Sequence, residues 1–267
     1  MTTRTGVLKK SPLSLVLASV RFAPWPLLGK RIDEIQNDLR DILPFIHHLE
    51  VETPDGTPQG AAFTNEAWML ISFDKTYGVQ ITKDQVLVFS PNYIDYKDFE
   101  SKVDRVLTTL LSHMKFMHVQ NMGVRFIDHI KPKEDEKSSD YISKKFLAPS
   151  IKNYETIGGR FFSEYSCGAH RIRVSVLNSP GAMPLPQDAI PVLAIFYGIE
   201  NPLKLERLKP EEFLIDMDAV SIFPDSEKKS KDEIKLELNK LHSVANNFFR
   251  HDEVFSDHAF KVWKGES

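Results

Sequence analysis

The chain has 267 residues, of which 42% are hydrophobic, 10% aromatic and 27% charged. This is globular composition, and it excludes a collagen-like, coiled-coil or wholly disordered chain. Lys and Arg number 34 against 37 Asp and Glu, a net charge of -3 that argues against nucleic-acid binding as the main task. The single cysteine, Cys167, leaves no internal disulfide and fits a reducing, cytoplasmic setting.

The apolar run from Leu13 to Val20 contains two serines and leads into Arg21. It is too short for a membrane span or a signal core, so it reads as the end-to-end body of a strand, Leu13 to Phe22, stopped by Pro24 and Pro26. Ile32, Ile35, Leu39 and Ile42 then form one apolar helix stripe, ended by Pro44. Two prolines and two glycines make 53–60 a loop. Strands follow over 67–73, 77–81 and 85–89, with short polar turns between them. Phe99, Val103, Val106, Leu110 and Met114 define a second helix.

The order then repeats. A strand is expected over 122–130, a charged and mobile linker over 131–139, and a short helix over 141–147. Strands are expected over 161–166, 171–177, 192–197 and 213–222, with a Pro-rich loop over 179–187. A solvated turn over 224–232 precedes the last helix, whose stripe is Ile234, Leu238, Leu241, Ala245 and Phe248, with Ser230 and Glu233 as a capping box. The fold class is therefore α+β. A single domain, 1–267, is built from two tandem strand-helix-strands-helix halves, about 1–117 and 118–267. Together they form a curved antiparallel sheet with helices on one face and the other face open. The duplication lies in the order of elements, and that order resembles the saddle of the TATA-binding-protein fold, which carries no function with it.

The chemistry-bearing residues are few. In the segment 213–219, alternation puts Asp216 and Asp218 on one strand face. Two such carboxylates can hold a divalent cation for phosphoryl transfer, although the segment supplies neither a third acidic ligand nor a glycine-rich phosphate cradle. Arg125 shares a face with Ile127 and His129, whereas Asp128 shares the other with Phe126 and Ile130. An arginine there can clamp an anion, but a pair with Asp216 or Asp218 across the sheet is the simpler reading. His242 and Asn246 are four apart on one helix face, a polar pair beside an apolar stripe. The nine histidines make no zinc spacing, Cys167 has only His170 near it, and Gly158-Gly159 lacks the rest of a dinucleotide fingerprint. No cofactor is implied.

Four segments in order, 11–22, 123–128, 214–218 and 241–248, resemble an uncharacterised, sporadically distributed family of bacterial and archaeal proteins of about this length. The match would span nearly the whole chain. In that family an Asn follows the Gly-x-Arg segment where this chain has Asp128, so a role resting on the amide does not carry over. The resemblance brings no activity. Its sporadic distribution suggests an accessory, toxin-control or phage-defence setting.

The leading expectation is a non-enzymatic protein-binding or scaffold component. Its partner would be a neighbouring-gene product or a second copy, with no membrane involved. The candidate binding residues are Arg125, Asp128, Asp216, Asp218, His242 and Asn246. The alternatives are a metal-dependent phosphoryl-transfer or nuclease-like enzyme using Asp216 and Asp218, and a nucleic-acid-binding module.

Overall fold

The computed structural model describes residues 4–54 and 62–266. Its elements in chain order are β1 (Leu13–Phe22), α1 (Leu28–Leu39), β2 (Phe45–Pro54), β3 (Ala62–Ile71), β4 (Gly78–Thr82), β5 (Gln85–Ser90) and α2 (Tyr96–Met114). They continue with β6 (Met117–Ile130), α3 (Ser138–Tyr141), a 3-10 turn (Lys144–Phe146), β7 (Gly159–Cys167), β8 (His170–Asn178), α4 (Ala189–Tyr197), β9 (Phe213–Lys229), α5 (Lys231–Phe249) and α6 (Asp257–Lys264).

All nine strands join one open antiparallel sheet in the order β2-β3-β4-β5-β1-β6-β9-β8-β7. The expected α+β class holds. The two halves meet where β1 pairs with β6, from Leu13 opposite Asp128 to Phe22 opposite Val119. In each half the first strand pairs with the last, β1 with β5 and β6 with β9, and the remaining strands run outward from there.

Residue alternation assigns the faces. On β1, Val16, Ala18, Val20 and Phe22 turn to one face and join the main core with the stripes of α1, α2 and α5. The α5 start is fixed as expected, with Ser230 accepting from the Glu233 N–H and Glu233 reaching back. Its last buried position is Phe249, and Phe248 is only partly buried. Leu15 and Leu17 turn to the other face.

That second face is not bare. Residues 192–197, expected as a strand, belong to α4, which packs Ala189, Leu193 and Phe196 on Leu15, Leu17, Met69, Phe89, Ile127 and Leu214. The misreading has a physical source. Apolar side chains surround this short helix, so it has no polar stripe to betray a 3.6-residue period. Gly78 makes room for it, because a Cβ there would sit 2.6 Å from Phe89 and 3.0 Å from Phe196.

Other boundaries move. β2 was not anticipated, since His47-His48 and Glu50 obscure its alternation; Thr53 and Pro54 of the expected loop belong to it, and 55–60 lie outside the described residues. The expected turn over 224–232 is strand as far as Lys229, held by Met117 opposite Lys229 and His118 opposite Lys228. The 131–139 linker ends in a tethered helix start, with the buried Ser138 Oγ donating to the Glu211 carbonyl at 2.9 Å. Among the described residues no helix is long and apolar enough to cross a membrane.

Candidate functional site

The β6–β9 register sorts the four candidate residues on these strands onto two faces, and His242 and Asn246 lie on α5. Arg125 lies opposite Asp218 and Ile127 opposite Asp216, all on the α4 side, whereas Asp128 lies opposite Ile215 on the α5 side.

On the α4 side, Arg125 is the centre of a charge cluster. Its Nε and Nη2 each donate to Asp216 at 2.7 Å, a bidentate pair. Its Nη1 and Nη2 donate to Asp188 at 2.5 and 3.2 Å. Asp188 is the N-cap residue of α4, so the guanidinium fastens that helix to the sheet. The bonds from Arg125 hold the Asp188 carboxyl below the ordinary carboxylate range. Asp218 lies further out, 3.9 Å from Arg173, and burial raises its pKa. The guanidinium thus fills the space between Asp216 and Asp188 that a cation bridging them would need. Among the described residues, no group of three or more His, Cys, Asp and Glu is placed to hold a metal ion. Outward from this cluster the face carries exposed Arg171, Arg173 and Glu164, loosely paired at 3.5 and 3.7 Å, and ends at β7 with Phe162, 63% exposed.

On the α5 side, Asp128, His242 and Asn246 line one cleft of about 640 Å³. Phe126 and Met217 of the sheet share its floor; Ala245 and Phe249 of α5 and its C-cap residue Arg250 form one wall. Gly6 to Lys9 and Tyr93 to Tyr96 form the other sides, with Val7 and Ile94 exposed at the rim. Asp128 is 3% exposed, and its Oδ2 has no hydrogen-bond partner. Desolvation, with the charge of Asp216 through the sheet, pushes its pKa up to about 8. His242 stacks on Tyr96 with ring centroids 3.5 Å apart. Burial, reinforced by Arg250 but opposed by Glu100, brings its pKa down to about 4, so it is neutral at pH 7. Asn246 Oδ1 accepts from Arg250 Nε at 3.0 Å. The remaining Arg250 nitrogens donate to the carbonyls of Arg4 and Gly6, the latter at 3.1 Å, which ties the N-terminal segment down as a wall of the cleft. Tyr96 Oη donates to Asn239 Oδ1 at 2.7 Å.

Sequence reasoning assigned Asp128 to the Phe126 face, and that alternation is the signal for its burial. It missed Tyr93, Tyr96 and Arg250, which enter the cleft from two separate segments. It also missed Asp188, which stands in a Pro-rich stretch without periodicity. No protein-family model matches the chain, and no curated protein sequence matches it.

Proposed function

We propose that the protein is a non-enzymatic binding component that accepts a protein partner's strand on the outer edge of β7, the best-fitting partner being a second copy of the chain. The observation that carries this reading is the edge itself. β7 ends the sheet order, no described strand pairs with its outer side, and six of its nine residues are exposed. An edge of this length without proline or a covering helix is a template for strand addition. The side chains favour self-pairing. An antiparallel pair centred on Phe162 sets Arg160 against Glu164 of the other copy at both ends and packs the two Phe162 rings together. A contact of one strand is small, so a micromolar, reversible dimer is expected. The accessory or defence setting rests on the sequence resemblance alone.

Sedimentation velocity across the micromolar range tests this. The wild type dimerises with rising concentration. Arg160→Glu sets acid against acid and weakens the dimer, and Arg160→Glu/Glu164→Arg restores it. A wild type that stays monomeric, or a double variant as weak as the single one, overturns the reading.

A further inference from the structure

The cleft between α5 and the sheet lies on the face opposite the charge cluster and away from the β7 edge, and strand addition makes no use of it. From Asp128, which lines its floor and keeps a buried oxygen without a partner, and from the apolar surface around it, we infer that it binds a small organic cation, an amine or amidine carried on an apolar body.

A buried polar atom without a partner is destabilising by about 1–3 kcal/mol, more when charged, and native chains rarely keep one. Asp128 Oδ2 is the buried side-chain atom left unsatisfied among the described residues. It belongs to a residue that lines a cleft of about 640 Å³, within the range of small-molecule sites. A carboxyl at the floor selects an N–H donor, and an ionised one selects a positive donor. Phe126 and Met217 beside it on the floor and Phe249 on the wall supply apolar surface, and Tyr93 stands edge-on to Phe126 with centroids 6.4 Å apart. Aromatic faces also favour a cation over an anion.

The other charges around the cleft are consistent with a cation at the floor. Lys9 comes from the N-terminal segment, Tyr93, Asp95 and Tyr96 from the stretch entering α2, His242 from α5 and Arg250 from its C-cap; Asp216 lies behind the sheet. His242 is neutral at pH 7. Arg250 has its guanidinium committed to Asn246 and two backbone carbonyls. Asp95 and Arg250 both act on Tyr93, in opposite directions, whereas the charge acting on Asp128 is that of Asp216. The mouth is therefore electrically mixed and the floor acidic. The cationic head belongs on Asp128 and the apolar body against Phe126 and Phe249.

Binding a cation ionises Asp128, so the complex forms with release of a proton wherever the free carboxyl is protonated. With a free value of about 8, affinity should rise close to tenfold per pH unit below that value and flatten above it. The test is calorimetric titration of the full chain with benzamidine, which stays protonated throughout, and with benzoate as the anionic isostere. Benzamidine should bind, benzoate should not, and about one proton should leave per complex at pH 7, measured from the dependence of the heat on buffer ionisation. Asp128→Asn should weaken benzamidine at least tenfold and abolish the proton release. Equal binding of the two probes, no binding of benzamidine, no proton release from the wild type, or an undiminished Asp128→Asn overturns the inference. The wild-type proton count decides the matter alone if the variant does not fold.

Discussion

Replacing Asp128 by Asn exchanges a titrating carboxyl for an amide of the same shape. Folding raises this carboxyl from 3.8 to about 8, so the native state holds the proton more tightly than the unfolded chain. The sign follows: stability is fully present below about pH 4 and is lost as pH climbs towards 8, where the loss levels off. Each unit of difference is about 1.4 kcal/mol. At pH 7, roughly three units above the unfolded value, the wild type has lost about 4 kcal/mol. Asp128 is 3% exposed, so solvent screening reduces this little. Asp128→Asn cannot lose it. Urea unfolding from pH 4 to 8 should therefore show the two proteins within about 1 kcal/mol of each other at pH 4 and diverging as pH rises, with the variant ahead by about 4 kcal/mol at pH 7. In a chain of this size that is on the order of 10 °C in Tm. Parallel pH profiles for the two proteins would refute the reasoning, because they would mean that the carboxyl is no harder to ionise folded than unfolded.

His242 works in the opposite window. Its value falls from 6.5 to about 4 on folding, so stability present above 6.5 is lost as pH drops towards 4, and His242→Phe, which keeps the stack on Tyr96, should recover roughly 2 kcal/mol at pH 4.5 by the same urea assay. Gly78→Ala puts a methyl into Phe89 and Phe196 and should cost about 1–3 kcal/mol in thermal unfolding, with early hydrogen exchange over 189–197 as α4 loosens. Arg125→Leu leaves the largely buried Asp216 carboxylate without its bidentate partner and should cost about 2–4 kcal/mol in urea unfolding. Ser230→Ala removes the α5 cap and should cost about 1 kcal/mol in the same measurement.

Periodicity made much of this fold legible. The α1 stripe as far as Leu39, the α2 stripe as far as Leu110, the capping box of α5, and the alternation that divides Arg125 and Asp216 from Asp128 all stand in the residues and recur in the structure. What stayed hidden lacked a period or depended on distant segments. α4 is apolar on every side, so its nine residues read equally well as a strand. β9 continues through polar residues because β6 runs alongside it, a reason found in the partner strand and not in 224–229 itself. The cleft is the plainest case. His242 and Asn246 were visible as a polar pair and Asp128 as an acid on an apolar face, but nothing local joins them. They meet because α5 crosses the β6–β9 seam, and residues 6–9 and 93–96 close the space from opposite ends of the first half.

The two faces of the seam are electrically coupled. Asp216 and Asp128 sit on neighbouring strands, one residue apart in register and on opposite sides of the sheet. Asp216 is paired with Arg125, and yet its charge still reaches Asp128 and helps to hold it protonated. Arg125 is also shared with Asp188 on α4. Asp216 and Asp188 thus divide one guanidinium. Desolvation is the larger cause of the Asp128 shift, and the charge of Asp216 is the smaller one. The charge of Asp216 on one face thus has an influence on the acid at the floor of the cleft on the other. That influence passes through a single layer of backbone and needs no movement of the sheet.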